Sequence, residues 1–215
     1  MIDVGKTLCL CTCDLELSSR FNVNIKNHPH TAKQFPISQH TIVDLAGNST
    51  TPQNFLKTIK NAKPDLIVFY THGDDTQIFG QDWSVVVEIN TAHLLKGRIT
   101  YAMACKTARK LGSTVIKAGG ISYIGFNRCF KFIPYTNEVF GNCVNTIWLE
   151  LLRGKTTGEA VEASKTRFDN YIDKYKQKYQ STTDLKLKQY FRKTVKFLLH
   201  DKNSLTLLGN IEATI

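Results

Sequence analysis

The chain has 215 residues, of which 42% are apolar, and a formal net charge of +10 at pH 7. This length and apolar content suit one α/β domain that folds unaided, and we take residues 1–215 as that single domain. No apolar run reaches the roughly 18 residues of a membrane span, and the first residues lack the features of a secretion signal. The six cysteines do not form a disulfide framework, so we expect a reducing, cytoplasmic compartment.

The positive charge is denser towards the end of the chain. Residues 151–215 carry a net charge of +6, whereas residues 1–150 carry +4. A basic surface of this kind is typical of proteins that bind nucleic acid, an acidic membrane surface or an acidic protein. It is also typical of a helical face that is simply solvated. No helix-turn-helix, zinc-finger spacing or aromatic ribonucleoprotein strand accompanies the charge. We therefore predict a solvated face and do not expect a nucleic-acid partner.

Cysteine and histidine also occur in patterns that raise the question of a metal. Cys9, Cys11 and Cys13 alternate along a predicted strand over residues 6–13, which places the three sulfurs on one face. Nothing nearby supplies a fourth ligand, so we interpret them as small buried side chains. His28 and His30 flank a proline in an irregular polar segment, and nothing completes a site there either. We expect no metal and no cofactor.

The remaining chain alternates strands and helices, a rhythm that predicts a parallel sheet with right-handed crossovers. We predict strands over 39–45, 65–71, 98–104, 121–126 and 204–209, a β-hairpin over 78–89, and helices over 51–62, 90–95, 107–118, 136–152, 156–179 and 184–199.

Two of the predicted strands end on side chains that carry chemistry. The strand over 65–71 ends at His72, and the strand over 98–104 ends at Cys105. Both strands are continuous apolar runs, as in a sheet buried on both faces, and ligands of parallel sheets bind beyond the carboxyl ends of the strands. If the strands are neighbours, an imidazole meets a thiol whose proton it can accept. The helix over 107–118 would begin beside Cys105 and favour a thiolate. The alternative is a structural cysteine and a histidine bound by a loop carbonyl.

With this order of elements, the chain resembles the caspase-like cysteine peptidases, a superfamily that includes caspases, gingipains, legumains, metacaspases and bacterial CHAT domains. The pattern is closest to the bacterial CHAT or caspase-like proteases. The resemblance covers nearly the whole chain and depends on six segments: 71–73, 78–82, 104–105, 118–126, 151–156 and 207–210.

The resemblance implies a three-layer sandwich, in which a mostly parallel sheet of about six strands carries helices on both faces. It implies that His72 is the general base, that Cys105 is the nucleophile, and that the N–H groups of Gly73 and Cys105 form the oxyanion hole. A cytoplasmic endopeptidase that cleaves protein or peptide substrates through an acyl-enzyme follows, and a regulatory protein partner is compatible with it. The alternative is a catalytically silent caspase-like module that binds a protein partner.

The sequence departs from the family patterns around the nucleophile. It reads Met103-Ala104-Cys105-Lys106-Thr107, so the caspase Gln-Ala-Cys-Arg/Gln-Gly box is absent. Met103 also replaces the acidic residue that metacaspases carry two positions before the cysteine. Both departures leave the substrate preference open.

The predicted substrate pocket lies at the strand-end rim, over residues 74–79 and 126–135. An acidic side chain there would favour a basic substrate residue, and a basic one would favour an acidic residue. We expect an apolar or uncharged residue before the scissile bond, because aromatic side chains make the simplest pocket. The candidate substrate-binding residues are Asp74, Asp75, Met103, Arg128, Phe130 and Phe132.

Overall fold

The computed structural model describes residues 7–12, 40–134 and 136–215, and within these ranges strands and helices follow one another in the predicted order. They are β1 (Thr7–Thr12), β2 (Thr41–Ala46), α1 (Pro52–Ala62), β3 (Leu66–Tyr70), β4 (Gln77–Phe79), β5 (Val85–Glu88), β6 (Ile99–Met103), α2 (Leu111–Lys117), β7 (Ser122–Phe126), α3 (Asn137–Leu152), α4 (Thr157–Ser181), α5 (Leu185–Ser204) and β8 (Leu205–Gly209). Short 3-10 helices lie at Gly47–Ser49 and Ile89–Leu95.

A six-stranded sheet forms the centre of the described part of the chain. Its strands lie in the order β2-β1-β3-β6-β7-β8. The first five run parallel, and β8 pairs antiparallel with β7 at the edge. The strands β4 and β5 form a separate antiparallel hairpin. The predicted mostly parallel sheet is therefore confirmed.

Helices cover both faces of this sheet. On one face, strand residues such as Val68 and Tyr101 pack against Phe140 of α3, Phe168 of α4 and Leu198 of α5. On the other face, a second cluster joins the alternate strand residues to α1 and α2 through Phe55, Ile59, Leu111 and Val115. Because both faces are buried, every residue of β3, β6 and β7 is buried. The predicted three-layer α/β fold class is confirmed.

Helix ends follow the capping residues of the sequence. Thr51 accepts a hydrogen bond from the Asn54 N–H at 3.2 Å at the start of α1, where Pro52 is the first helical residue. Thr156 and Glu159 form a capping box at the start of α4. None of the described helices is long and apolar enough to cross a membrane.

The helix predicted over 107–118 is shorter than expected. Residues 105–110 form turns, and α2 begins only at Leu111. Lys106 has a φ of +61°, which a right-handed helix does not allow, so the helix cannot begin beside Cys105.

Three side chains that were considered as metal ligands, Cys13, His28 and His30, lie outside the described residues.

Candidate active site

The register between β3 and β6 fixes the relation of His72 to Cys105. Tyr70 is paired with Met103, and the Thr71 N–H donates a hydrogen bond to the Met103 carbonyl at 3.3 Å. His72 lies two residues beyond Tyr70, and Cys105 lies two residues beyond Met103. The two side chains therefore leave the sheet at matching positions of neighbouring parallel strands, where ligands of such sheets bind.

Gly73 packs directly against the segment that carries Cys105. A Cβ atom at Gly73 would lie 2.6 Å from Thr107 Cγ2 and 3.1 Å from Ala104 Cβ. Real side chains do not tolerate the first of these distances. Only glycine therefore allows the backbone after His72 to approach both sides of Cys105 this closely.

The His72 ring is exposed and stacks on Trp83. The ring centroids are 4.7 Å apart and the planes differ by 16°. Trp83 is 64% exposed and has a φ of +62°, an unusual conformation for a bulky residue. Phe79 contacts both residues of this stack. Its ring centroid lies 5.7 Å from that of Trp83, and its N–H donates a hydrogen bond to the His72 carbonyl at 3.1 Å. The β4–β5 hairpin thus supports the imidazole.

Cys105 is half-buried, and its surroundings favour the neutral thiol. Burial, together with the neighbouring Cys129 and Asp201, raises its pKa to about 11, although a hydrogen bond from the Phe130 N–H opposes the rise. The helix that was expected to stabilise a thiolate begins six residues away, at Leu111. The prediction of a thiolate prepared by a helix N-terminus was therefore wrong, because the turn after Cys105 removes that helix end.

A buried carboxyl group, Asp201 of α5, lies behind the loop that follows β7 and contains Lys131. Its Oδ1 accepts the Lys131 N–H at 2.9 Å, and its Oδ2 has no hydrogen-bond partner within the described residues. Burial raises the Asp201 pKa to about 9, although the Lys131 N–H opposes this. The group is therefore neutral at pH 7, and once it ionises above about pH 9 its charge raises the pKa of Cys105. Asp201 was not among the predicted site residues, because nothing in the sequence connects residue 201 with the rim.

The turn that follows Cys105 is tied to the loop after β7. The Lys106 N–H donates to the Arg128 carbonyl at 3.3 Å, and the Ala108 N–H donates to the Phe126 carbonyl at 3.2 Å. In the part of the chain that the structure describes, neither the Gly73 N–H nor the Cys105 N–H donates a hydrogen bond. Both groups therefore stay candidates for the predicted oxyanion hole.

The two acidic candidates for substrate binding, Asp74 and Asp75, already have hydrogen-bond or ion-pair partners in the protein. Asp74 accepts hydrogen bonds from the backbone and side chains of Thr76 and Gln77, at 2.7 to 3.2 Å. Burial alone would raise the Asp74 pKa, but these bonds outweigh it and hold the pKa below its usual range. Asp75 pairs with Arg109 at 3.1 Å. These contacts shape the loop after His72.

Of the apolar candidates, Met103 belongs to the protein core, and Phe130 and Phe132 pack against it. Met103 is 3% exposed and packs in the main cluster. The Phe130 ring contacts Phe126 and Phe140, with centroids 5.1 and 6.2 Å apart, and Phe132 packs against the same cluster. Both phenylalanines are half-buried, with one side of each ring against the core, so an apolar substrate pocket built from them stays a prediction.

Arg128 differs from the other candidates because it lines an open cleft. The cleft has a volume of about 410 Å³ and adjoins Cys105, since Lys106 and Cys129 are among its walls. Arg109 and Asn127 complete the lining. Three of the five lining residues are cationic, and sequence analysis identified only Arg128 among them. The cleft suits a negatively charged group.

The described residues contain no cluster that suits a metal ion. No group of three or more His, Cys, Asp or Glu residues in this part of the chain has the required arrangement. The Cys9 and Cys11 side chains are both buried, with their sulfurs 3.7 Å apart, in the cluster with α1 and α2.

The molecule is thus an α/β sandwich that carries a histidine and a cysteine at adjacent strand ends. No protein-family model matches the chain, and a search of curated proteins returned no match. Its fold is similar to that of solved structures of a secreted C11 cysteine protease from Bacteroides thetaiotaomicron, "iotapain" in one of them. That structure has a TM-score of 0.43 and 11% identity, covering 66% of this chain and 61% of the protease chain.

A second structure is of a secreted C11 cysteine protease from the same organism with an irreversible peptide inhibitor. It has a TM-score of 0.42 and 13% identity, covering 65% of this chain and 53% of that chain. The similarity therefore spans less than two thirds of either protease chain. At these identities and TM-scores it assigns no residue, substrate or reaction to this chain.

The comparison also corrects the predicted compartment. The protein of similar fold is described as secreted, which contradicts the cytoplasmic location expected from the cysteine content. Because free cysteines are a weak guide to the cellular compartment, we do not assign a compartment to this chain.

Proposed function

We propose that this chain is a cysteine endopeptidase of the caspase-like type, with residues 1–215 forming one peptidase domain. The observation that carries the proposal is the matched exit of His72 and Cys105 from neighbouring parallel strands, with Gly73 packed against the Cys105 segment. A thiol beside an imidazole at the ligand-binding edge of a sheet is an arrangement for nucleophilic catalysis. The affiliation with the CHAT type stays a prediction.

In the proposed reaction, His72 accepts the proton of the Cys105 thiol while Sγ attacks the peptide carbonyl carbon. The carbonyl oxygen becomes an oxyanion, which the N–H groups of Gly73 and Cys105 receive. When this intermediate collapses, the C–N bond breaks and His72 returns the proton to the leaving amine. A water molecule then adds to the thioester carbonyl carbon while His72 accepts its proton. The C–S bond breaks, His72 returns the proton to Cys105 Sγ, and the carboxylic acid product leaves.

The raised pKa of Cys105 supports a particular timing for the proton transfer. With a Cys105 thiol pKa of about 11, the proton stays on sulfur at neutral pH while no substrate is bound. A preformed thiolate–imidazolium pair is therefore not the resting state. Proton transfer to His72 accompanies the attack on the substrate, as in general-base catalysis.

We further propose that the substrate carries an acidic side chain near the scissile bond. The cleft beside Cys105 is lined by Lys106, Arg109 and Arg128, and Asp75 neutralises only Arg109. Cationic side chains bind carboxylates through charge-assisted hydrogen bonds. The sequence-based prediction of an apolar or uncharged substrate residue, which depends on the half-buried rings of Phe130 and Phe132, is the alternative to it.

The test of catalysis is cleavage of a diverse peptide library, with every cut mapped by mass spectrometry. Cys105→Ala and His72→Ala should each reduce kcat/KM by at least about a thousandfold, and the double variant should be no worse, because the two groups act as one unit. Cys129→Ser is the matched control for loss of a thiol. Because Cys129 lines the cleft but is not the proposed nucleophile, its loss should lower kcat/KM far less than Cys105→Ala. Wild-type turnover in either single variant would exclude the dyad.

The test of specificity compares an acidic peptide with its uncharged amide analogue. Lys106→Asn removes one positive charge and introduces asparagine, which tolerates the positive φ at this position. Arg128→Gln removes a second positive charge. Each should lower kcat/KM for the acidic peptide by about tenfold and leave the uncharged analogue unchanged. Equal losses on both peptides would contradict an acid-binding cleft.

A catalytically silent module that binds a protein partner is the second candidate. The observation that favours it is the neutral, half-buried state of the Cys105 thiol, which makes a poor nucleophile without help from the base. A peptide carrying an electrophile in place of the scissile bond separates the two candidates. The peptidase becomes labelled at Cys105 and loses the label in His72→Ala, whereas a silent module stays unlabelled at this residue.

A further inference from the structure

The two longest helices form a hairpin whose far end leaves the core. The last buried residue of α4 is Tyr175, and the first buried residue of α5 is Thr194. Every residue of the segment 176–193 between them, which we call the hairpin tip, is exposed or half-buried. An aromatic contact joins the two helices at its base, since the Phe191 ring of α5 lies 5.8 Å from the Tyr175 ring of α4. The tip is thus an ordered projection.

The hairpin tip is strongly cationic. It contains six Lys or Arg residues and one carboxylate, Asp184, which gives a net charge of +5. Asp184 is occupied as the cap of α5, because its Oδ1 accepts the N–H groups of Lys186 and Leu187 at 2.7 and 3.2 Å. Among the described residues, Lys176 is the only one of the six that pairs with a carboxylate, Asp173 at 3.3 Å. The tip therefore attracts an anionic partner.

The same tip exposes aliphatic side chains at its very end. Leu185 is 74% exposed and Leu187 is 45% exposed, and they alternate with Lys186 and Lys188 at the start of α5. Tyr179, which is 39% exposed, lies near the end of α4. Exposed apolar side chains among polar ones mark interaction sites. The sequence alone favoured a solvated face, and these exposed leucines are what the structure adds.

The combination of leucine and lysine separates the two main classes of anionic partner. Leucine makes no favourable contact with the phosphates of a nucleic acid. At a membrane surface, however, leucine enters the acyl region while lysine extends its ammonium group to the anionic headgroups. A groove of about 340 Å³ beside the tip fits this pattern, because Tyr179 and Val195 line it together with the cations Lys176 and Arg192.

We propose that the hairpin tip binds an anionic lipid surface, with Leu185 and Leu187 inserted between acyl chains and the surrounding lysines on the headgroups. The proposal concerns a surface whose residues take no part in the proposed catalysis. It therefore stands or falls separately from the peptidase function.

The test is co-sedimentation of the full chain with vesicles of phosphatidylcholine, with or without phosphatidylserine. Wild-type protein should bind only the vesicles that contain phosphatidylserine, and high salt should weaken this binding. Leu185→Ser with Leu187→Ser keeps every charge but should weaken binding by about tenfold or more, because the inserted apolar area is lost. Lys186→Gln with Lys188→Gln should also weaken it.

Leu199→Ser is the matched control, because Leu199 is a 40% exposed leucine of α5 outside the tip. It should bind vesicles like the wild type, and circular dichroism should show an unchanged helix content in all variants. Absence of vesicle binding by the wild type would overturn the proposal. So would binding to a duplex DNA oligonucleotide that the lysine variant loses and the double-serine variant retains, since that pattern identifies a nucleic-acid surface.

Discussion

Cys105 and Cys129 are neighbouring cysteines with opposite exposure, which gives a direct test of the resting state. Cys105 is half-buried with a pKa of about 11, whereas Cys129 is exposed. Only the thiolate reacts, so iodoacetamide should modify Cys129 faster than Cys105 at pH 7. The helix N-terminus that the sequence predicted beside Cys105 would have given the reverse order.

The pH dependence of the Cys105 reaction gives the sign of the pKa shift. Because the thiol pKa is raised, the alkylation rate of Cys105 should still increase as pH rises from 8 to 10, by about tenfold per pH unit. Peptide-resolved mass spectrometry measures the rate at each site. A Cys105 rate that levels off below about pH 9 would mean that the thiolate is stabilised after all.

Trp83 is expected to act as a positioning residue for His72. Its ring stacks on the imidazole at 4.7 Å, and such contacts contribute about 0.5–1.5 kcal/mol. Trp83→Ala should therefore lower kcat by roughly threefold to tenfold. Trp83→Phe, which retains a stacking ring, should recover most of the loss. An alanine variant with an unchanged kcat would show that the stack has no role in turnover.

The residues of the candidate site differ in how visible they are in the sequence. His72 and Cys105 could be predicted because each follows a buried apolar strand, and strand ends are readable from hydrophobic patterns. Trp83 was assigned to a strand, since its positive φ and its stack on His72 depend on the folded hairpin turn. Asp201 reaches the rim only through the packing of α5, which no local pattern reports.

The segment after His72 and the turn after Cys105 meet at Gly73, which predicts a pair of coupled substitutions. A Cβ at Gly73 would lie 2.6 Å from Thr107 Cγ2. Gly73→Ala should push these two segments apart and lower kcat/KM by at least about tenfold, because catalytic groups tolerate little displacement. Thr107→Ser removes the clashing methyl group but keeps the hydroxyl that donates to the Ala104 carbonyl.

The double variant Gly73→Ala with Thr107→Ser should therefore recover part of the lost activity, while Thr107→Ser alone should stay close to the wild type. Steady-state kinetics of the four proteins gives the coupling between the two positions. Strictly additive effects would show that the contact does not set the geometry of the site.

At the scale of elements, the order and type of strands and helices were predictable, and the start of α2 was not. The composition of residues 105–110 suits a helix, but tertiary contacts decide otherwise. The Lys106 N–H bonds to the Arg128 carbonyl and Lys106 adopts a φ of +61°. A hydrogen bond to a distant loop overrides local helix propensity, so the error falls on the segment that follows the candidate nucleophile.

The stability of the whole molecule combines two opposite effects of pH. The chain has a net charge of +10 and a pI of about 9.3, so raising the pH towards that value reduces the repulsion between its positive charges. Asp201 acts in the other direction. Its pKa is about 9 in the folded protein against an ordinary value of 3.8. Between these values the unfolded chain has lost a proton that the folded protein retains.

Because the folded protein binds more protons in this window, the Asp201 contribution to the free energy of unfolding falls as pH rises from about 4 to about 9. The slope is at most about 1.4 kcal/mol per pH unit. Asp201→Asn cannot ionise and keeps an acceptor for the Lys131 N–H. It should therefore gain stability relative to the wild type as pH increases, with urea midpoints at pH 5 and pH 8.5 as the measurement.

Asp201→Leu also cannot ionise but loses the acceptor, so it should be less stable than the asparagine variant by the same amount at both pH values. A stability difference between wild type and Asp201→Asn that is equal at pH 5 and pH 8.5 would mean that Asp201 titrates normally in the folded protein.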